Sequence, residues 1–318
     1  MSYNIGSFNL RDFNLSKEST DDTGEKLKRN FDKIADIIVR EKFDVMALQE
    51  INSEFALNYL VRLLNKQKNL LRTYESAFGE DMPIQKGAHD PERYGFIWNA
   101  KRLRLIQPRR GTNPSYYQNA GALGLIRPPY YARFSARGMF GGTNFELRVI
   151  NTHIKDATRE EDRIKEFDVL VKQVLPRICD HQEISENGET MPSYTFLMGD
   201  YNLALNKSER AIYKIETVTM TSYTGKTRGY RTVQEEPTTL KLPNCQTSVE
   251  ECYANNYDHF TYEIGENGLE KKLMLFPQRV EALTKYYKEE EQSVEKLRKY
   301  RTEISDHVPI KLTIDLIK

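Results

Sequence analysis

The chain has 318 residues, of which 47 are Lys or Arg and 46 are Asp or Glu, so its formal net charge is +1. This balance excludes a global electrostatic surface for nucleic acid, and any such binding must use a local groove. No apolar run approaches the roughly 18 residues of a membrane-spanning helix, so we expect no membrane partner.

The three cysteines, Cys179, Cys245 and Cys252, are odd in number and lack zinc-ligand spacing. This favours free thiols in a reducing compartment, although a bridge between Cys245 and Cys252 stays open. No signal peptide precedes the first predicted strand, so we expect a cytoplasmic protein.

The first half of the chain alternates strands with helices and then changes to strands. Its predicted elements are a strand at 3–10, a helix at 25–41, a strand at 43–50, a helix at 53–65, a strand at 71–78 and a hairpin formed by 92–98 and 102–106.

The second half is predicted to contain strands at 145–153, 196–203 and 257–262, helices at 157–174 and 277–301, and a short closing strand after Pro309. Residues 204–250 are polar and Thr-rich, which is typical of an irregular surface insertion. We find no internal repeat and no linker, so 1–318 is predicted to be a single domain.

Polar residues of a few types recur at the predicted strand ends: Asn9, Glu50, Glu92, His153, Asp200, Asn202, Asp258, Asp306 and His307. Each alone has an ordinary structural reading, such as a helix cap or a turn. Together, at the ends of successive strands, they predict one site. Gly199 allows close backbone approach, and Asp200 and Asn202 point to the same side if the chain stays extended.

The ordered segments 7–11, 48–50, 92–94, 151–153, 198–202, 257–258 and 305–309 resemble the motifs of the endonuclease/exonuclease/phosphatase superfamily. Within it the chain is most similar to deoxyribonuclease I, over nearly its whole length. The resemblance implies an α+β fold, a four-layer αββα sandwich of two packed mixed β-sheets with helices outside. It also implies a divalent-metal site at one end of the sheets.

The resemblance assigns a role to each of these residues. Glu50, helped by Asn9, is expected to bind Mg²⁺, with Mn²⁺ and Ca²⁺ as alternatives, and Asp306 is expected to bind any second cation. His307 backed by Asp258 and His153 backed by Glu92 are expected to be the acid and base, in an order left open.

Three further residues are assigned to the nucleophile and the substrate. Asp200 is expected to orient the nucleophile or complete a metal shell, and Asn202 to hydrogen-bond the scissile phosphate. Arg11 and Arg127 match arginines that contact the phosphate backbone, although ordinary surface charge is an equal alternative for Arg127.

The expected function is a metal-dependent phosphodiesterase, a nuclease acting on DNA. Asn52 and Asp90 stand where deoxyribonuclease I has minor-groove contacts, so single-stranded or nicked DNA and RNA stay open as substrates. A phosphatase or a phospholipid-headgroup hydrolase is the alternative, and a catalytically silent interaction module is disfavoured because the whole residue set is present.

Overall fold

The computed structural model describes residues 2–16, 18–20, 26–67, 72–80, 92–107, 111–137, 143–156, 159–180, 192–204, 218–221, 227–241, 248–264, 273–280 and 294–316. Asp90 and Cys245 lie outside these ranges. In the described part, no helix is both long enough and apolar enough to cross a membrane.

The helices are α1 (Phe31–Arg40), α2 (Glu54–Lys66), α3 (Glu160–Val169), α4 (Leu175–Asp180), α5 (Val249–Cys252) and α6 (Val294–Glu303), with a 3-10 turn at Gly121–Leu123 and a π-helical turn at Leu170–Val174. The strands are β1 (Ser2–Phe13), β2 (Glu18–Thr20), β3 (Lys26–Lys28), β4 (Val45–Ile51), β5 (Tyr74–Phe78), β6 (Gly95–Asn99), β7 (Leu103–Leu105), β8 (Ser115–Tyr116), β9 (Tyr130–Arg137), β10 (Thr143–His153), β11 (Ser193–Asp200), β12 (Val218–Thr221), β13 (Thr227–Val233), β14 (Asp258–Ile264), β15 (Leu273–Arg279) and β16 (Ile310–Leu316).

Two mixed sheets form the body of the protein. The first has the strand order β15-β16-β1-β4-β6-β5, with β1 and β4 parallel. The second has the order β12-β13-β14-β11-β10-β9-β7, with β10 and β11 parallel. The remaining neighbours in both sheets are antiparallel.

Three apolar clusters separate four layers. The central cluster lies between the sheets, where the Phe96 ring meets Phe134 edge-on at 6.2 Å. A second cluster packs α1 and α2 against the outer face of the first sheet, and a third packs α3 and α4 against the second sheet. The predicted α+β sandwich with outside helices is therefore confirmed.

Capping side chains start the helices over the first sheet. Asn30 precedes α1 and its side chain accepts a hydrogen bond from the Lys33 amide, while Ser53 does the same for the Ala56 amide at the start of α2. These contacts satisfy amide groups that have no partner within a helix. Since α2 directly follows β4, its first turn lies beside the end of that strand.

The structure corrects several sequence predictions. The predicted hairpin is wrong because β6 lies in the first sheet and β7 in the second. The helix predicted at 277–301 is wrong at its start, where β15 continues to Arg279, and its described helical part is α6. The described part of the predicted insertion contributes β12 and β13 to the second sheet. Cys252 is disulfide-bonded, whereas Cys179 is a free thiol.

Gly199 fixes the approach of two central strands. Its φ is +149°, and an added Cβ would lie 1.8 Å from the carbonyl oxygen of Thr152 on β10. Gly199→Ala should therefore lower the free energy of unfolding by about 3 kcal/mol or more. Urea denaturation checks this, with Gly121→Ala as control, since a Cβ there meets nothing within 4 Å. Equal stability of the two variants would contradict the assignment.

Candidate functional site

The backbone is unusual where the first sheet reaches the site. The pairing of β1 with β4 shifts register between Asn9 and Phe13, and Arg11, Asp12 and Glu50 have φ of 43°, 56° and 58°. Such left-handed conformations are strained by roughly 1–3 kcal/mol each in residues other than glycine. The bulge turns successive polar side chains of one strand end toward a common point.

Asn9 connects two carboxylates across the two sheets. Its Nδ2 donates to Glu50 Oε1 at 2.8 Å and lies 3.1 Å from Asp200 Oδ2 on β11. Its Oδ1 accepts from the backbone N–H of Arg11 at 2.9 Å, and the second oxygen of Glu50 accepts from the Asp12 amide at 3.0 Å. The side chain of Asn9 thus orients these carboxylates.

His153 ends β10 beside the predicted carboxylate. Its Nδ1 lies 3.0 Å from Glu92 Oε2, without the alignment of a hydrogen bond, and its Nε2 lies 3.5 Å from Asp200 Oδ2. Burial and Arg127 act to lower the pKa of His153, but Glu92 and Asp200 outweigh them and the pKa is raised.

His307 is held by Asp258 at the first position of β14. Its Nδ1 lies 2.8 Å from Asp258 Oδ2, and its Nε2 lies 3.5 Å from Asp200 Oδ2. The backbone is fixed by Ser305, whose hydroxyl donates to the Asn9 carbonyl at 2.6 Å and accepts the His307 amide at 3.1 Å. Burial acts to lower the pKa of His307, but Asp258 and Asp200 raise it to about 10.

Asp200 is the point at which these groups converge. One oxygen, Oδ2, faces the Nε2 atoms of both histidines and the Asn9 amide, while Oδ1 accepts the backbone N–H of Asn202 at 2.8 Å. Burial raises the pKa of Asp200 against the opposing charges of His307 and His153. The two imidazoles therefore share one buried carboxylate.

Asn202 does not continue the strand as expected. Its φ is 50°, and its Nδ2 donates to the carbonyl of Ile154 at 2.8 Å. This bond ties the end of β11 to the residue that follows His153. The predicted contact of Asn202 with phosphate is thus left to the remaining polar atoms of its amide.

Glu50, Glu92 and His153 bring three potential metal-ligand atoms within 4.8 Å of one another. Burial raises the pKa of Glu50, and the carboxylates of Glu92 and Asp306 add to this effect against His153 and the bond from Asn9. Burial also acts to raise the pKa of Glu92, but His153 and Arg127 lower it to about 2. A divalent cation fits this set, since it would relieve the repulsion around Glu50.

The expected metal role of Asp306 differs from its contacts. Its Oδ2 lies 3.4 Å from Arg11 Nε and 3.4 Å from Arg301 Nη1. The described group with suitable spacing contains neither Asp306 nor Asn9 but does contain Glu92 and His153, for which no metal role was predicted. Two arginines on one carboxylate make it a poor cation ligand, because they already neutralise its charge.

The two predicted phosphate-binding arginines are paired inside the site. Arg11 is buried against Asp306, and Arg127 Nη2 lies 2.7 Å from Glu92 Oε1. Each positive charge therefore stands beside the group of carboxylates.

Arg29 was missed by the sequence interpretation. Its side chain is buried, Nη1 donates to the carbonyl of Ile304 at 3.2 Å, and Nε and Nη2 have no hydrogen-bond partner within the described residues. Burial and Arg11 lower its pKa to about 10, with Asp306 and Glu50 opposing. A basic residue just before a capped helix gives no sequence signal for such a position.

Residues 238–240 also support the site, although they were predicted to lie in a surface insertion. Thr239 forms a β-bridge with His307, the Leu240 amide donates to the Asp306 carbonyl at 2.7 Å, and the Val308 amide donates to the Thr238 carbonyl at 2.8 Å. These bonds hold the turn that carries His307.

The fold and this cluster define a sandwich of the endonuclease/exonuclease/phosphatase type, as the sequence resemblance implied. An endonuclease/exonuclease/phosphatase family protein from Bacteroides thetaiotaomicron is similar over 100% of this chain and 98% of its own, at TM-score 0.54 and 14% identity. TDP2 from D. rerio complexed with a single-strand DNA product covers 99% of both chains at TM-score 0.55 and 15% identity. A mannosyl-6-phosphatase from Bacteroides thetaiotaomicron covers 99% of this chain and 100% of its own at TM-score 0.53 and 14% identity.

No protein-family model matches the chain, and neither does any curated protein sequence. The structural similarity therefore establishes the fold, and the substrate has to be argued from the site.

The Asp258–His307 pair predicts a charged imidazole at neutral pH. Because the pKa of His307 is raised to about 10, its contribution to stability is fully present below the unfolded pKa of about 6.5 and is lost as pH rises through about 10. Proton–nitrogen NMR of metal-free protein should show an imidazolium at pH 8, and Asp258→Asn should lower the midpoint. A neutral ring at pH 8 in the wild type would contradict the pairing.

Proposed function

We propose that the protein is a divalent-metal-dependent phosphodiesterase that hydrolyses nucleic acid, with DNA as its principal substrate. The observation that carries this proposal is the convergence of both histidine Nε2 atoms on Asp200 Oδ2, beside the oxygen and nitrogen donors of Glu50, Glu92 and His153. Phosphodiester hydrolysis needs a positioned proton acceptor, a proton donor and charge neutralisation, and each has a candidate here.

The metal would be held by Glu50, Glu92 and His153. We propose Mg²⁺, with Mn²⁺ and Ca²⁺ as alternatives, since two carboxylates form most of the donor set and the imidazole also suits Mn²⁺. A bound cation would supply neutralisation of the non-bridging phosphoryl oxygens.

The chain's own residues supply the proton transfers. Asp200, whose pKa is raised by burial, accepts the proton of the attacking water as its oxygen bonds to phosphorus. His307, whose pKa is raised to about 10 mainly by Asp258 and Asp200, donates a proton to the departing oxygen as the phosphorus–oxygen bond breaks. Asn9 keeps Asp200 and Glu50 in register, and Arg11 stabilises the negative charge of the substrate.

A phosphatase is the alternative that one comparison favours, since the similar mannosyl-6-phosphatase has the same overall fold. A phospholipid-headgroup hydrolase would use the same chemistry. The choice is made by incubating the protein with plasmid, single-stranded DNA, RNA, a phospholipid and a chromogenic phosphomonoester, with Mg²⁺, Mn²⁺ or EDTA. Cut strands support the proposal, whereas release of inorganic phosphate or a headgroup supports the alternatives. No turnover of any substrate would favour an interaction module.

The cytoplasmic location stays a prediction from the sequence. The disulfide at Cys252 argues for an oxidising compartment instead, because such bonds are rare in reducing ones. Fractionation of cells that produce the protein decides between them.

Glu50→Gln should weaken metal binding and stabilise the metal-free protein. The substitution keeps the side-chain shape but removes a charge whose pKa is raised by burial and by Glu92. At pH 7 the repulsion is lost, so we expect a higher melting temperature together with at least about a tenfold weaker Mn²⁺ affinity. Calorimetry checks both. Unchanged Mn²⁺ binding would remove Glu50 from the metal set.

His153→Ala and His307→Ala should each lower kcat by roughly 10²- to 10⁴-fold on bis(p-nitrophenyl) phosphate. The double variant should lose much less than the product of the two, because both rings act on Asp200 in one transition state. Steady-state kinetics checks this, with His259→Asn as control, since His259 Nε2 contacts the backbone carbonyls of Leu203 and Asn256. Multiplicative losses, or a larger loss in the control, would contradict the assignment.

A further inference from the structure

The exposed large hydrophobic side chains of the described part are Leu15, Phe55, Tyr59 and Ile126, with exposed fractions of 48%, 74%, 36% and 40%. Most are only a few residues from a segment of the candidate site. Leu15 follows Asp12, whose amide donates to Glu50, and Ile126 precedes Arg127, which pairs with Glu92. Grouping of exposed apolar residues around a polar site is a sign of binding.

Phe55 and Tyr59 lie one turn apart on the same face of α2. Tyr59 packs edge-on against Phe31 at 5.2 Å, and Phe31 packs against Phe13 at 5.0 Å. The Phe13 carbonyl accepts the amide of Asn52, two residues after Glu50. The rings therefore form a continuous series from the strand ends at the site to the protein surface.

Phe55 differs from the other rings of this series. It lies in the first turn of α2, and within the part of the chain that the structure describes its ring packs against no other aromatic ring. An exposed phenyl ring contributes little to folding, so its position beside the site points to a ligand. We call the surface formed by Leu15, Phe55 and Tyr59 the aromatic rim.

We propose that the aromatic rim binds an unpaired base of a nucleic-acid strand whose phosphate lies at the candidate metal site. The inference rests on the proposed function and extends it to a substrate with unpaired bases. Phe55 offers a ring face without hydrogen-bonding groups, so stacking there is independent of base identity. The guanidinium of Arg62 lies 5.6 Å from the centre of the Tyr59 ring and places a positive charge next to the strand's backbone.

The size and surroundings of the rim favour a base over other occupants. Two rings and a leucine present an area suited to one or two bases, much less than the roughly 800 Å² per partner of a stable protein interface. A lipid chain would gain from apolar contact alone and would have no use for ring geometry. The three occupants therefore predict different responses to substitution of Phe55.

The experiment measures binding of a fluorescein-labelled 12-nucleotide single strand by anisotropy in EDTA, where binding is separated from cleavage. Phe55→Ala should weaken binding by about 5- to 150-fold, which corresponds to loss of 1–3 kcal/mol of stacking. Phe55→Tyr keeps the ring and should bind like the wild type. Phe55→Leu keeps an apolar side chain without the ring and should bind nearly as weakly as Phe55→Ala. Melting temperatures confirm that each variant is folded.

Several results would overturn the proposal. These are wild-type affinity of Phe55→Ala, equal losses on the duplex of the same sequence, wild-type affinity of Phe55→Leu, or a loss seen on phosphatidylglycerol vesicles but not on the strand. Hydrolysis of bis(p-nitrophenyl) phosphate by the wild type tests the proposed function separately, because that substrate has no base. Hydrolysis with unchanged strand binding by Phe55→Ala would refute the rim alone. Absence of hydrolysis would refute the phosphodiesterase, whatever the binding shows.

Discussion

A single buried oxygen atom, Oδ2 of Asp200, is the point on which the candidate site depends. It faces the Nε2 atoms of both histidines at 3.5 Å and the Asn9 amide at 3.1 Å. These groups come from both sheets, so the site exists only if the sandwich closes with its two parallel strand pairs in register. An isolated carboxylate at this depth would be costly, and the imidazoles offset that cost by carrying positive charge.

The backbone stores strain where it serves this convergence. Of the six residues other than glycine with positive φ in the described part, four lie at the site: Arg11, Asp12, Glu50 and Asn202. Each ends or interrupts a strand, which frees its side chain from the strict alternation of faces. The surrounding core holds these conformations in place, because Phe8, Leu48 and Met198 on the same strands are fully buried.

Much of the architecture and the site membership could be predicted from sequence. Strand-end polar residues such as Glu50, His153 and Asp200 are followed by turns that any reading of apolar runs detects. Local patterns do not say which sheet a strand joins, so β6 and β7 were predicted to pair although they lie in different sheets. The same limit applies to 204–250, whose polar composition conceals β12, β13 and the bridge from Thr239 to His307.

The errors at the site have an electrostatic cause. A conserved-looking motif identifies a carboxylate but not its neighbours, and Asp306 was read as a metal ligand because its arginine partners, Arg11 and Arg301, are 295 and 5 residues away. Arg29 was overlooked for the same reason, since its buried position beside Glu50 and Asp306 arises only in the folded chain.

The arrangement of charge explains how a chain of net charge +1 could hold an anionic substrate. The carboxylates Glu50, Glu92 and Asp200 occupy the centre, where a cation would be favoured, and Arg11, Arg29 and Arg127 stand around them. A phosphate binding between a central cation and outer guanidinium groups is neutralised from both sides within a few ångströms, a range at which salt screens weakly. Long-range attraction is then unnecessary, and a surface with balanced charge favours release of the cleaved product.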